Sequence, residues 1–273
     1  MAADGSMLVP TSLGRLNTTR VGSGPPALLW HSLWVDSSSW GPLVDELGAH
    51  RQLLVVDGPG YGRSDPIHRD FTLGDCANAA VEVLGQLGVD GPVDWVGNAW
   101  GGHVGITLAA GEPSRIRTLS TINAPLLPVG RRQRLTTSYP LALLYRLLGP
   151  SPIVAKPLFD TLLGAEAIDA QPERAAQMVS AFEHADRGSM RATIRFMHHW
   201  KPLTDKLPAI TAPTLFLTGN VDGQQWSPAS AEAAAATMPD ARVVRLRGAG
   251  HVSPLLLDTD LIARTIADFW QSR

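Results

Sequence analysis

Short apolar runs rich in branched residues recur along the chain, and stretches with helical spacing of apolar positions separate them. The runs read as the strands LNTTRVG, PALLWH, RQLLVVD, VDWVGN, IRTLSTI, PTLFLTG and ARVVRLR. Several are apolar almost throughout, as expected of parallel strands covered on both faces. The spacing between them predicts helices over about 38–49, 72–87, 100–110, 228–238 and 258–271. Pro228 falls near a helix start, where a missing N–H costs little. Strand alternating with helix implies an α/β protein with a mostly parallel sheet and helices on both faces.

One stretch interrupts the alternation. From about 126 to 207 there are helix patterns, among them RRQRLTTSYPLALLYRLLG and PERAAQMVSAFEHA, and no convincing strand. It lies between IRTLSTI and PTLFLTG. Ligands of open α/β sheets bind at the carboxyl ends of the strands. The expected organisation is a core of residues 1–125 and 208–273 with a helical cap, 126–207, over those ends.

Composition narrows the class. With 44% hydrophobic and 18% charged residues among 273, a full globular core is available. A net charge of −2 gives no basic excess for nucleic acid. The cluster Arg131, Arg132 and Arg134 reads as a solvated helix start. No apolar run is long enough to cross a bilayer, and MAADGSMLVP lacks the basic and apolar regions of a signal peptide. The one cysteine, Cys76, sits in a helical pattern and reads as packing. A reduced, cytoplasmic, soluble protein is expected, with no membrane or nucleic-acid partner; a homodimer is compatible but not required.

Four pieces carry candidate chemistry. His31-Ser32-Leu33-Trp34 forms a loop at a strand's carboxyl end. VVDGPGYGRSD follows the next strand, with Asp57 closing it and Gly58, Gly60 and Gly62 allowing tight turns. VGNAWGGHVG has the outline Gly-x-Nuc-x-Gly of a nucleophile elbow, but its centre is Ala99, whose methyl group cannot attack. Asp222 in LFLTGNVDG follows a strand, and His251 in RGAGHVSP follows the last one. His103 reads as a packing residue facing out of the helix after the elbow. His198 and His199 are adjacent and diverge on a helix, so no metal site is expected.

Together these pieces resemble the α/β-hydrolase fold family, from about residue 13 to 270. The resemblance implies the chain order nucleophile, acid, histidine, so Ala99 stands at the nucleophile position, Asp222 matches the acid and His251 the base. It implies an oxyanion hole from the backbone N–H groups of Leu33 and Trp100. Ser32 replaces a glycine of the family's loop. Ser32, Trp34, Tyr139 and Trp200 are expected against a small-molecule substrate, with no cofactor and no metal. Trp226 also lies near a pocket loop, where core packing explains it equally well.

Position 99 admits several readings. A serine replaced by alanine would make the chain a hydrolase of esters, lactones or carbon–carbon diketones without its nucleophile. A native alanine would leave a cofactor-free enzyme using the His251–Asp222 dyad, or a ligand-binding pseudoenzyme. An aspartate replaced by alanine would imply an epoxide hydrolase or haloalkane dehalogenase. The serine scaffold ranks first, then the native-alanine variant, then the aspartate type.

Overall fold

The computed structural model describes residues 5–221 and 226–273. Its sheet has eight strands: β1 Ser6–Thr11, β2 Gly14–Val21, β3 Pro26–Trp30, β4 Gln52–Val56, β5 Val93–Asn98, β6 Ile116–Ile122, β7 Thr214–Thr218 and β8 Ala241–Arg245. The spatial order is β1-β2-β4-β3-β5-β6-β7-β8. The β1–β2 and β2–β4 pairs are antiparallel and the remaining pairs parallel. All residues of β5 and β7 are buried, so both faces of the central sheet are covered.

β1 is absent from the sequence expectation. Only Val9 is buried in it, and Pro10 interrupts the pattern. Proline is tolerated there because β1 is an edge strand, with no neighbour on its outer side among the described residues.

The helices between strands are α1 Leu43–Gly48, α2 Leu73–Gln86 and α3 Trp100–Gly111. The helix expected over 38–49 is divided: a 3-10 turn, Ser37–Trp40, ends at Gly41 with φ 51°, and α1 starts after Pro42. α2 begins in a reciprocal cap in which Thr72 Oγ1 accepts from Asp75 N–H and Asp75 accepts from Thr72 N–H. Between β6 and β7 come α4 Arg131–Gln133, α5 Tyr139–Leu148, α6 Pro152–Ala170, α7 Pro172–His184 and α8 Arg187–His199, with no strand among the described residues. Gly164, at φ 74°, kinks α6. α9 Pro228–Ala235 is capped by Ser227, and α10 Pro254–Leu257 and α11 Thr259–Gln271 end the fold. Among the described residues no helix is long and apolar enough to cross a membrane.

Candidate active site

β5 ends at Asn98 and α3 starts at Trp100, so Ala99 alone turns the chain from strand to helix. Its backbone lies at φ 45°, ψ −102°. Such a conformation costs a residue with a Cβ on the order of 1–3 kcal/mol. The turn closes only because its glycines lack side chains. A Cβ on Gly101 would lie 1.8 Å from the Trp30 carbonyl oxygen, and one on Gly97 would lie 2.2 Å from the Gly101 carbonyl carbon. Ala99 N–H donates to Ile122 O at 2.8 Å and Gly101 N–H to His31 O at 3.2 Å, tying the turn to β6 and to the loop after β3. Trp100 N–H opens α3, where the first amides have no partner one turn back and the helix dipole is positive.

His251 lies in the loop between β8 and α10, and two asparagines position that loop. Asn98 Nδ2 donates to Ile122 O at 3.0 Å and to His251 O at 2.8 Å. Asn123 Nδ2 donates to Gly250 O at 2.7 Å, while its Oδ1 accepts from Gly219 N–H at 2.7 Å. Asn123 itself sits at φ 42°, a left-handed position that asparagine tolerates better than most side chains. His251 Nδ1 lies 3.3 Å from the Asn123 carbonyl oxygen. Desolvation pushes the His251 ring down to about 4, so it is neutral at pH 7. Asp222 lies outside the described residues.

Two further imidazoles lie near this edge of the sheet. His31 is fully buried; its Nε2 accepts from Gly58 N–H at 2.9 Å and its Nδ1–H donates to Ser32 O at 2.6 Å. Those contacts require the neutral tautomer, and burial lowers its pKa accordingly. His103 corrects the sequence expectation, because it is buried rather than facing outward. Its Nε2–H donates to Pro125 O at 2.7 Å, and its ring stacks on Trp200 with centroids 4.6 Å apart. Burial first, and then the proximity of His251, push it down to about 3.

Ala99, His103 and His251 share the wall of a cavity of about 60 Å³, which Leu33, Trp34 and Trp100 also line. Leu162 of α6 and Phe196, Met197 and Trp200, from α8 and its end, close it from the other side. Trp34 takes φ 72°, so the turn in this loop falls there rather than at Ser32, which is buried in the same wall. Tyr61 supports the loop by accepting from Trp34 N–H at 3.3 Å and donating to Thr193 Oγ1 of α8 at 3.1 Å. Trp100 packs edge-on to Trp30 and His31.

Tyr139 is 45% exposed, with its ring against His198, and it lines neither this cavity nor the larger one adjoining it. Tyr145, one turn and a half further along α5, lines the larger cavity. Trp226 is buried edge-on to Phe216 and belongs to the core. His198 and His199 turn to different partners, Tyr139 and the Arg195 carbonyl oxygen. No group of three or more His, Cys, Asp or Glu side chains among the described residues is placed to hold a metal ion.

A groove of about 770 Å³ passes Asp57 and Asp186, but neither Ala99 nor His251 lines it. Asp57 accepts there from Asn17 Nδ2 and from the N–H groups of Ser37 and Arg63, which fixes the loops after β3 and β4. Asn98, Asn123 and the inward face of His103 are functional features absent from the sequence expectation. A signal for the asparagines existed: the dipeptide Asn-Ala recurs at the carboxyl ends of two strands, in GNAW and INAP.

Comparison with known proteins adds to this geometry. Residues 27–265 match the family model described as "Alpha/beta hydrolase family". The chain is 28% identical over 251 residues to polyketide synthase ThaQ of Burkholderia thailandensis, a match covering 87% of this chain and 11% of the synthase. It is 29% identical over 233 residues to the putative carbamate hydrolase RutD of Azorhizobium caulinodans, covering 84% of this chain and 85% of that protein. The solved enol-lactonase of Burkholderia xenovorans LB400 superposes with a TM-score of 0.86 at 23% identity, covering 97% of this chain and 100% of the other, and shows a shared fold.

Proposed function

The chain belongs to the alpha/beta hydrolase family, and from that premise we propose that it is an ester-cleaving scaffold whose nucleophile position is held by Ala99. The observation that carries this reading is the Ala99 turn. A strained backbone, cushioned by glycines, raises position 99 into a cavity shared with a neutral imidazole. A turn needed only for folding is better served by glycine, which adopts φ 45° without strain. The strain has a use when a side chain at 99 must be presented to a ligand.

A serine at 99 completes the chemistry. His251 takes the hydroxyl proton as Oγ attacks the ester carbonyl carbon. The oxyanion that forms is stabilised by the N–H groups of Leu33 and Trp100, each typically worth about 3–4 kcal/mol of barrier. Collapse breaks the acyl–oxygen bond, and His251 returns its proton to the leaving alcohol. Water then attacks the acyl-enzyme by the same route and restores the serine. Asp222 orients the His251 ring and stabilises its cation. Residues 126–207 act as a cap that limits access. The names of the carbamate hydrolase and enol-lactonase relatives support acyl chemistry.

The test compares the parent chain, Ala99→Ser, Ala99→Asp and Ala99→Ser with His251→Ala. Ala99→Ser should raise 4-nitrophenyl acetate hydrolysis by about 10³-fold or more and create reactivity toward serine-directed phosphonates, and His251→Ala should abolish both. Gain of epoxide or haloalkane turnover by Ala99→Asp alone would favour an aspartate nucleophile instead. A second reading rests on the size of the cavity beside Ala99. Its 60 Å³ exceeds the ~10–15 Å³ that a bound water requires. His251 can activate a water or abstract a substrate proton there without a covalent step. His251-dependent turnover by the parent, as fast as by either restored variant, would establish that mechanism in place of the first.

A further inference from the structure

The small space beside Ala99 adjoins a cavity of about 550 Å³, within the size range of small-molecule sites. Trp34, Val129, Leu162, Met197 and His251 are walls of both. The larger cavity is walled mostly by apolar side chains, with Leu141, Leu144 and Tyr145 on one face of α5, Val154 and Leu158 of α6, and Ile194 of α8; the neutral polar residues Gln133, Thr136, Thr137, Ser138 and Thr161 also line it. The first three fall at i, i+3 and i+4, so α5 presents one continuous stripe inward.

The lining contains no Lys, Arg, Asp or Glu among the described residues. Its ionisable side chains are Tyr145 and His251. Burial raises the Tyr145 phenol, and desolvation holds His251 down at about 4, so both are uncharged at pH 7. A carboxylate or ammonium group carried into this space loses its water and meets no opposite charge among the described lining side chains. An alkyl chain loses only unfavourable hydration.

The geometry points to an ester bearing one long, uncharged apolar chain as the substrate class, with that chain laid in the larger cavity and the scissile carbonyl beside Ala99. The chemistry rests on the ester-cleaving reading above; the ligand preference of the cavity does not, and the parent chain reports it by binding alone.

Calorimetry on the parent with methyl octanoate, methyl acetate and monomethyl suberate is the first arm. The suberate ester has the same chain length as the octanoate but ends in a carboxylate. Methyl octanoate should bind at least tenfold tighter than either. Equal affinity for octanoate and suberate esters, or tighter binding of the acid, overturns the inference. The second arm follows kcat/KM of Ala99→Ser on 4-nitrophenyl acetate, butanoate and octanoate, and on methyl against octyl acetate. Each added methylene on the favoured side should give about fourfold, so the six added between acetate and octanoate, or the seven between methyl and octyl acetate, should gain on the order of 10³–10⁴-fold.

Leu158→Trp should lower the octanoate-to-acetate ratio by filling the cavity. Leu158→Arg should shift binding toward monomethyl suberate, a gain that a misfolded protein cannot show. If Ala99→Ser cleaves acetate and neither series gains with length, the chain inference fails and the ester reading stands. If it cleaves nothing while the parent discriminates octanoate from suberate, the ester reading fails and the cavity assignment stands.

Discussion

At the amino ends of β5 and β6, Asp94 is wholly buried and both of its oxygens are used. Arg51 Nε reaches it at 2.7 Å, Arg117 Nε at 2.9 Å and Thr118 Oγ1 at 2.7 Å. At the carboxyl ends of β3, β5 and β6 the material is different. There the loops carry Trp34, Ala99 and Asn123, the described non-glycine residues with positive φ. His31, His103 and His251 are held below their ordinary pKa at the same edge. One end joins its strands with a satisfied charge cluster. The other stores backbone strain and neutral imidazoles around a cavity. A satisfied charge cluster at one end and strained turns around a cavity at the other are built for different demands, so substitutions at the two ends should report on different properties.

The sharpest test of that separation is Asp94→Ala. Removing the carboxylate leaves the Arg51 and Arg117 guanidinium groups without their buried partner, and breaking such a pair costs about 3–5 kcal/mol. Urea denaturation should show the loss, while the folded fraction of an Ala99→Ser background should keep its kcat. A fall in kcat without a fall in stability would dissolve the comparison.

At the opposite end, Asn123→Ala should cost about 2–3 kcal/mol, because it removes three buried hydrogen bonds, one of them long, and puts a less tolerant residue at φ 42°. It should also lower kcat in the Ala99→Ser background, since the His251 loop loses its anchor at Gly250. Steady-state kinetics beside urea melts would separate the two effects.

Acid should weaken the protein through its carboxyl edge. His103 has a folded value near 3, below its unfolded value of about 6.5, so the unfolded chain binds the proton first. The stabilisation is full above pH 6.5 and falls by up to about 1.4 kcal/mol per pH unit as pH drops toward 3. His31 acts in the same direction. Unfolding free energies from urea melts at pH 7 and pH 5 should differ by up to about 2 kcal/mol from His103 alone, and His103→Gln should reduce the difference. Equal midpoints in the parent would refute the neutral-imidazole account.

The smallest effect has opposite signs at the two ends. Ala99→Gly relieves strain and should stabilise by about 1 kcal/mol. Ala27→Gly, at a fully buried position near the start of β3, should destabilise by about 1–2 kcal/mol through lost packing and added chain entropy. Differential scanning calorimetry on both variants would reveal a shared sign if the strain were not real.

The parallel strands were legible because burial on both faces writes a dense apolar run into the sequence. β1 was not, since an exposed edge strand with a single buried residue and a proline leaves no such run. The division of 38–49 was signalled by Gly41-Pro42, but the apolar spacing on either side concealed it. His103 was misplaced because α3 is buried nearly all round, so helical period identifies no outward face. Asn98 and Asn123 looked like ordinary strand-end residues. Their role depends on the Gly250–His251 loop, which is far along the chain and touches them only after β5 and β6 align in register.

The amino-acid sequence by itself determined the fold class, the strand–helix alternation, the glycine cushion around Ala99, and the positions of Ala99 and His251 just after strands. Those properties depend on local backbone sterics and on which face of an element is apolar, both of which a short window encodes. The tertiary structure alone decided that His103 turns inward, that Tyr145 rather than Tyr139 reaches the cavity, and that the described cavity walls carry no Lys, Arg, Asp or Glu. Each of these is a sum over neighbours distant in sequence. Desolvation and cavity shape arise where several elements meet, and no single stretch of chain contains that information.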